Sequence, residues 1–256
     1  MAYDFTKTFD RYGLGDVDYW RCGDCGFVIS RTHAELSAEK WTELNVTLHS
    51  LYQGGDENPT DPRWKQRIAA QARALAAFAK FDLIPPSGRW LDYGCGDGGL
   101  SAELLARSGL RLPKFDQYMA AGADYLAPDE IKPGAFDFVI TTSVFEHLWR
   151  RGQWDAINGL VSASGVLGLH TLVRENVPRD PDWFYLQAPH TAFFSNAAMS
   201  RLFADWGYRS SVYDVEARLW LWFREDAGLT AQKVAALNQS RAEPIPFVRG
   251  FLDYWK

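Results

Sequence analysis

The sequence predicts an α/β fold in which a mostly parallel sheet is covered by helices on both faces and ends with an antiparallel strand. Three observations predict it. A short apolar run at 90–93 turns through a glycine-rich segment and restarts with helical spacing at 99–107. Short apolar runs then alternate with helical stretches up to residue 206, the pattern of a parallel sheet between two helical layers. Finally, the runs at 209–214 and 217–224 are joined by a short turn, so we expect that pair to be antiparallel.

The chain divides into three zones. Residues 1–62 contain few long periodic runs and are predicted to form an irregular N-terminal extension, which ends in a turn-rich linker at 53–62. Residues 63–225 are predicted to form the α/β domain, which opens with a helix at 63–80. Residues 226–256 are predicted to form a helix followed by an aromatic tail.

Each element of the α/β domain follows from its local pattern. Apolar runs bounded by turn residues predict strands, and apolar residues three or four apart predict helices. Gly207 stands where the last helix of the domain should end, because glycine readily adopts the left-handed conformation that ends helices. The predicted elements are strands at 89–93, 110–115, 136–141, 165–173, 209–214 and 217–224, and helices at 99–108, 154–160 and 196–206.

Composition excludes several classes of function. The formal net charge of −5 gives no basic field for nucleic acid or an anionic membrane. No apolar stretch reaches the roughly 20 residues that span a bilayer, and the N-terminus lacks the segments of a secretory signal. Three cysteines do not form a disulfide framework, so a cytoplasmic location is expected. The 11 tryptophans form either an aromatic core or stacking surfaces for a planar or sugar substrate.

The glycine-rich segment is the most specific functional signal. Gly94, Gly96 and Gly98 permit positive φ angles and a close approach of the backbone to a ligand. No Lys-Ser or Lys-Thr pair follows, which argues against a phosphate-binding P-loop. The Asp-x-Gly-x-Gly-x-Gly form resembles motif I of the class I methyltransferases, which use S-adenosylmethionine on a Rossmann-like fold. The resemblance implies that Asp92, Gly94, Cys95, Gly96 and Gly98 bind that cofactor.

An acid about 20 residues beyond the glycine loop is expected to bind the ribose hydroxyls of a nucleoside cofactor. Asp116 stands at that distance, with Gln117 beside it; otherwise Asp116 is a surface acid after a strand. Only residues 117–135 separate Asp116 from the next predicted strand, where the resembling family usually has a helix and a third strand. We therefore expect the third strand to be reduced or absent, with Asp124 as the candidate for the adenine-side acid.

The strand at 136–141 leads into Ser143, Glu146 and His147. A strand of this form followed by Glu-His-Leu is a second resemblance to class I methyltransferases. Open α/β sheets bind ligands at the carboxyl ends of their strands, so these three side chains should edge the pocket. Ser143 and Glu146 are assigned to cofactor binding, and His147 either acts as a general base or supports the cofactor.

The segment 181–195 resembles a Pro-His-x-x-Phe-Phe-Ser stretch of some methyltransferases that act on sugars and polyketide-like metabolites. The resemblance implies an aromatic lid over the mouth of the cofactor site. His190 is the first candidate for the general base, His147 the second and His170 the third. Otherwise His190 is a loop histidine bonded to the backbone, and His170, in the middle of a strand, is expected to belong to the core.

By resemblance, the expected activity is methyl transfer from S-adenosylmethionine to a hydroxyl of a sugar, polysaccharide or secondary metabolite. The partner would be a small-molecule or glycan acceptor, and not a nucleic acid or a membrane. Two alternatives remain open. A C-methyltransferase would enolise a ketosugar with a Tyr/His/Glu cluster, for which Tyr185 and His190 are candidates. A cofactor-binding module without catalytic activity would fit the shortened region after Asp116.

Cys22 and Cys25 form a Cys-x-x-Cys knuckle near the N-terminus. Its surroundings resemble the end of a zinc-binding region in some sugar and polyketide C-methyltransferases, but the first cysteine pair of that region is missing. Structural zinc needs four ligands. His33, His49 or a second chain could complete a site, and we expect no bound metal.

Overall fold

The computed structural model describes residues 1–10, 13–52, 62–119 and 124–253, except the side chains of 48–52 and 62–63. The predicted linker at 53–61 and the aromatic residues Tyr254 and Trp255 of the predicted tail lie outside the described part. Among the helices that are described, none has the length and apolar character needed to cross a membrane.

Strands and helices alternate along most of the described chain. The strands are β1 (Ala2–Phe9), β2 (Gly15–Arg21), β3 (Val28–Ser30), β4 (Trp90–Tyr93), β5 (Lys114–Phe115), β6 (Phe136–Thr142), β7 (Val161–His170), β8 (Val173–Arg174), β9 (Ala192–Ser195), β10 (Ser210–Asp214), β11 (Leu219–Phe223) and β12 (Phe247–Arg249). The helices are α1 (Ala38–Tyr52), α2 (Pro62–Lys80), α3 (Gly99–Ser108), α4 (Arg151–Leu160), α5 (Asn196–Asp205) and α6 (Ala227–Gln239). The predicted helices of the α/β domain agree with α2 to α5 to within three residues at each end.

The larger sheet has the strand order β12-β10-β11-β7-β6-β4-β5. Strands β5, β4, β6 and β7 are parallel neighbours, and β11, β10 and β12 join by antiparallel pairing. A mixed α/β fold with a largely parallel sheet is therefore confirmed, and β12 adds an edge strand that the sequence did not predict. Because Asp92 of β4 pairs with Ile140 of β6, the loops that follow these two strands begin at the same edge of the sheet.

Helices cover both faces of the larger sheet. Under α2, α3 and α6 lies one core, which includes Leu75, Leu104, Phe138, Leu221 and Val234. Under α4 and α5 lies a second core, which includes Val139, Trp154, Leu167, Met199 and Trp222. Successive side chains of a strand point to opposite faces, so the apolar run of β6 supplies residues to both cores.

The region around the expected third strand is short. The strand predicted at 110–115 extends only over Lys114–Phe115, because Pro113 lacks the N–H that a longer ladder would need. After 120–123, which are not described, a single bridge joins Tyr125 to Lys114 where a third strand would begin.

The N-terminal region is not irregular, contrary to the prediction. Strands β1, β2 and β3 form an antiparallel meander that continues through β9 to β8 as a five-stranded sheet. The alternation of apolar and polar residues is weak in β1, where only Phe5 is buried, so the periodicity of the sequence did not predict this strand. The smaller sheet thus combines residues before position 62 with residues 173–195.

Ion pairs with a buried carboxylate join the smaller sheet to the loop after β8. The Asp4 side chain is 1% exposed, and its carboxylate lies 2.7 Å from an Arg21 nitrogen and 2.8 Å from Arg179. Arg21 also donates to the Val177 carbonyl at 3.0 Å. The two arginines therefore depend on one shared carboxylate.

Asp4→Asn should lower the free energy of unfolding by about 1–3 kcal/mol, because two arginines lose a charged, buried acceptor. Chemical denaturation measures the change. Glu216→Gln is the matched control: Glu216 pairs with Arg73 where both side chains are about half exposed or more, and such surface pairs contribute roughly 0–1 kcal/mol. Equal effects of the two substitutions would contradict this assignment for Asp4.

Candidate functional site

The glycine-rich loop between β4 and α3 adopts the backbone that its sequence predicts. Gly94, Gly96 and Gly98 have φ angles of 71°, 57° and 79°, in the left-handed region that glycine tolerates. A Cβ atom at position 94 would lie 2.4 Å from Val144 Cγ2, and one at position 98 would lie 2.6 Å from Lys114 Cδ. The loop therefore packs directly against the segment that follows β6.

Asp116 holds this loop from the end of β5. Its buried carboxylate accepts the N–H groups of Gly96 at 2.9 Å, Tyr118 at 2.8 Å and Met119 at 3.0 Å. A carboxylate has about four lone-pair sites, so Asp116 retains capacity for a ligand hydroxyl. Gln117 is exposed beside it.

Asp92 offers a buried acceptor between β4 and α3. It is 1% exposed, and Ser101 Oγ lies 3.5 Å from Oδ2. Within the described residues Oδ1 has no hydrogen-bond partner. Burial raises the pKa of Asp92 to about 7; the Ser101 hydroxyl opposes this shift, and the nearby Asp116 charge adds to it. A buried carboxylate with an unfilled acceptor position fits a ligand that carries an ammonium group.

A cavity of about 200 Å³ lies at the carboxyl ends of β4, β5 and β6. It brings together five predicted site residues, namely Gly94, Asp116, Gln117, Ser143 and His147. A larger cavity of about 340 Å³ lies beside the first residues of β4 and β6, and no predicted site residue lines it. Because open α/β sheets bind ligands at the carboxyl ends of strands, we take the smaller cavity as the candidate site.

Part of the cavity wall comes from the N-terminal region, which the sequence did not connect with the site. Trp41 and Asn45 of α1 line the cavity. Trp41 Nε1 donates to the Tyr118 hydroxyl at 3.0 Å, and its ring centroid lies 4.3 Å from that of Trp149. Their spacing of four residues places Trp41 and Asn45 on one face of a helix, but nothing in the sequence indicates which partner that face meets.

The other predicted cofactor contacts lie outside the cavity lining, namely Asp92, Cys95, Gly96, Gly98, Asp124 and Glu146. Asp124 is half exposed, and its carboxylate is 3.9 Å from an Arg111 nitrogen, so the structure does not bring it to the site. Cys95 directs its thiol to the Gly96 carbonyl at 3.6 Å, and burial raises the pKa of that thiol to about 12. The Tyr125 hydroxyl, which was not predicted, also donates to the Gly96 carbonyl, at 2.6 Å.

Glu146 belongs to a buried polar cluster beside the cavity. It lies in the 3-10 turn Phe145–His147 after β6 and is 1% exposed. Oε1 accepts the Tyr185 hydroxyl at 2.6 Å, and Oε2 accepts the Thr171 hydroxyl at 2.8 Å. Glu146 was predicted to bind the cofactor, but it does not line the cavity and instead holds the segment that carries Tyr185.

His147 and His190 meet with their ring centroids 4.9 Å apart. His147 lines the cavity, whereas His190 does not and is 7% exposed. His190 Nδ1 donates to the Tyr185 carbonyl at 2.7 Å, which leaves Nε2 as the ring acceptor, and burial lowers the pKa of His190. The geometry thus reverses the predicted order of the two histidines. His170 is buried, with Nδ1 2.7 Å from the Arg218 carbonyl, in keeping with its expected core position.

The aromatic segment 181–195 is mostly core and not a lid, contrary to the prediction. Trp183, Phe193 and Phe194 are at most 8% exposed. Phe193 packs against Tyr19 of β2, with ring centroids 5.6 Å apart. The reason is that β9 adds to the smaller sheet and carries these rings inward; Phe184, 67% exposed, is the exception.

The Cys22–Cys25 knuckle has two free thiols, and no cluster of possible metal ligands among the described residues includes them. His33 does not complete the knuckle, because its Nε2 lies 2.7 Å from the Ala188 carbonyl and its Nδ1 bonds a serine hydroxyl. The side chain of His49 lies outside the described part. Among the described side chains, therefore, none supplies the further ligands that a structural zinc site at this knuckle would need.

Comparisons with known proteins identify the central part of the chain. A family model described as a methyltransferase domain matches residues 63–211. No curated protein sequence gives a significant match. Similar solved structures include CalS10, an amino pentose methyltransferase from Micromonospora echinaspora (16% identity over 63% of this chain and 94% of that chain, TM-score 0.45). They also include DesVI from Streptomyces venezuelae (15% identity over 62% of this chain and 93% of that chain, TM-score 0.43). A third is magnesium protoporphyrin IX methyltransferase from Synechocystis (16% identity over 72% of this chain and 95% of that chain, TM-score 0.42).

Gly94→Ala should weaken binding of S-adenosylhomocysteine at least about tenfold, because the new methyl group must displace Val144 from the cavity wall. Isothermal titration calorimetry measures the affinity. Gly109→Ala is the matched control, since Gly109 also has a positive φ, of 70°, but has open space around it. Both variants should lose roughly 1 kcal/mol of stability through backbone strain, and only Gly94→Ala should lose affinity. Equal affinities in the two variants would contradict the site.

Proposed function

Since the chain belongs to the methyltransferase domain family, we propose that it methylates a hydroxyl group of a small molecule or glycan. Its methyl donor is S-adenosylmethionine, as the family and the Asp-x-Gly-x-Gly-x-Gly loop imply. The observation that carries the proposal is that one cavity is lined by Gly94 and Asp116 of the cofactor loops and also by His147. We call the part with Gly94 and Asp116 the cofactor side and the part with His147 the acceptor side.

The cofactor side is formed by β4, β5 and their loops. When bound, S-adenosylmethionine supplies an electrophilic methyl group on its sulfonium. Asp116 would accept the ribose hydroxyls in addition to its three backbone N–H groups, and Asp92 Oδ1, which has no hydrogen-bond partner among the described residues, would accept from the amino group. The contribution of these residues is to align the methyl group with the acceptor and to exclude water.

The acceptor side is formed by His147 with Trp41 and Asn45. We assign the contact with the acceptor to His147 and not to His190, because only His147 lines the cavity. The His147 ring rests on His190, which the Tyr185 carbonyl fixes in turn. An indole and an amide beside an imidazole suit a ring-shaped, polar acceptor such as a sugar, and the net charge of −5 disfavours a polyanion.

C-methylation of a ketosugar is a second candidate, and one observation favours it. Tyr185 donates to Glu146 at 2.6 Å within the cluster that contains both histidines. Removal of a proton from carbon beside a carbonyl needs a base together with a donor to the carbonyl oxygen, and the cluster contains both kinds of group. Nuclear magnetic resonance of the isolated product distinguishes a methyl group on oxygen from one on carbon.

Asp116→Ala should weaken S-adenosylhomocysteine binding by about 1–3 kcal/mol, or roughly 5- to 150-fold, because the ribose hydroxyls lose a charged acceptor. Calorimetry measures the change. Asp124→Ala is the control, because its half-exposed carboxylate lies outside the cavity lining. A loss of affinity for Asp124→Ala that equals the loss for Asp116→Ala would place the cofactor elsewhere.

His147→Ala should lower the turnover of a methylated acceptor by about two to four powers of ten, the range typical of a group that assists proton transfer. Acceptors are first found by mass spectrometry of a sugar and glycan panel, as a gain of one methylene group. S-adenosylhomocysteine affinity should stay within about threefold, because Asp116 and Asp92 remain. Phe184→Ala, which removes an exposed ring of the aromatic segment 181–195, should leave turnover unchanged. Full activity of His147→Ala would refute the acceptor assignment.

A further inference from the structure

We propose that Glu146, His147 and His190 together bind a divalent cation at the edge of the cavity. One nitrogen of each histidine and one carboxylate oxygen lie within 4.8 Å of one another. Among the described residues no other group of three such side chains converges in this way. The inference deepens the proposed function by naming what the acceptor side of the cavity binds, and it rests on that function only for the identity of the acceptor.

The three side chains form a donor set that binds first-row transition metals. Two imidazoles and one carboxylate are ligands for zinc, manganese and iron(II), often with coordination positions left open for a substrate. With bonds near 2.1 Å, neighbouring ligand atoms lie roughly 3–4 Å apart around such a cation. Binding would therefore contract the triad by up to about 2 Å, a movement that side-chain rotation can supply.

The surroundings of two of the ligands match those of metal sites. Metal-binding histidines usually donate their second ring N–H to a carbonyl or carboxylate, and ligating carboxylates are themselves hydrogen-bonded. His190 donates Nδ1–H to the Tyr185 carbonyl at 2.7 Å, so its Nε2 lone pair remains for a cation. Glu146 accepts from the hydroxyls of Tyr185 and Thr171 at 2.6 and 2.8 Å. The outer contacts that orient a metal ligand are thus already present in the protein.

The negative charge of Glu146 also favours a bound cation. Glu146 is 1% exposed, and no lysine or arginine forms an ion pair with it in the described part of the chain. A buried carboxylate without a charged partner is costly even when hydroxyl groups donate to it. A divalent cation between these groups would neutralise its charge.

Access to the cation would be through the cavity, because His147 lines it while Glu146 and His190 do not. A hydroxyl of the acceptor bound to the cation becomes more acidic. Its proton passes to water, its oxygen forms the bond to the methyl carbon, and the bond from that carbon to sulfur breaks with release of the neutral thioether. In this arrangement His147 serves as a ligand, and the cation, not the imidazole, makes the hydroxyl acidic.

The test is cation binding by the full chain after treatment with EDTA, without cofactor or acceptor. Titration with Mn²⁺, followed by electron paramagnetic resonance, and with Zn²⁺, followed by calorimetry, should each give one site per chain. The measurements use the Cys22→Ser/Cys25→Ser background, so that the free thiols of the knuckle contribute nothing. Glu146→Gln and His190→Gln should each weaken Mn²⁺ binding at least about tenfold. Glu216→Gln, which alters an exposed carboxylate paired with Arg73 outside the cluster, should bind as the parent does.

Circular dichroism confirms the fold of each variant, and His147→Gln, at the half-buried ligand, replaces any variant that fails to fold. Absence of Mn²⁺ and Zn²⁺ binding to folded parent protein, or equal binding by parent and Glu146→Gln, would overturn the proposal. Methylation that is insensitive to EDTA would leave the proposed function intact and refute the cation site. Cation binding that depends on Glu146, in a protein that methylates no acceptor, would support the site and refute the proposed function.

Discussion

The contact on which the site depends is the close approach of Gly94 to Val144. Parallel pairing of β4 with β6 starts their loops at one edge of the sheet, but the loops can touch only because position 94 has no side chain. Asp116 bonds this loop through Gly96, and the turn that carries Glu146 and His147 begins directly after Val144. Displacement of Val144 would therefore disturb the cofactor side and the acceptor side of the cavity together.

The N-terminal region contributes to the candidate site in two ways. Pairing of β3 with β9 and the bond from His33 to the Ala188 carbonyl fix the segment that carries His190. Helix α1 follows β3 closely in the chain and supplies Trp41 to the cavity wall. The family match begins at residue 63 and includes the cofactor loops. Part of the cavity wall thus lies before the match, whereas the cofactor loops lie within it.

The sequence was sufficient to predict the structure wherever one residue type or one spacing determines the local conformation. The loop at 94–98 needs positive φ angles, which glycines make visible, and the distance from the loop to Asp116 follows from one strand–helix–strand unit. The strands of the N-terminal sheet were not predicted, because β1 buries only Phe5 and therefore lacks a periodic pattern of apolar residues. The role of Trp183 and Phe193 could not be predicted, because local sequence does not reveal that β9 pairs with a strand from the other end of the chain. For the same reason, the local sequence around Trp41 did not indicate that this residue lines the cavity.

Three buried carboxylates lie at or beside the cavity, and their cost indicates how the site discriminates between ligands. Asp92, Asp116 and Glu146 are 1%, 5% and 1% exposed. Hydrogen bonds from N–H and hydroxyl donors offset part of the desolvation free energy of Asp116 and Glu146. Burial instead raises the pKa of Asp92 to about 7. The negative field that remains is weakly screened because the three carboxylates are buried. Since the methyl donor carries a sulfonium charge that its product lacks, this field stabilises the donor more than the product, a difference that separate titrations of the two ligands would measure. The burial that makes these carboxylates costly is thus also what strengthens their preference for a cationic ligand.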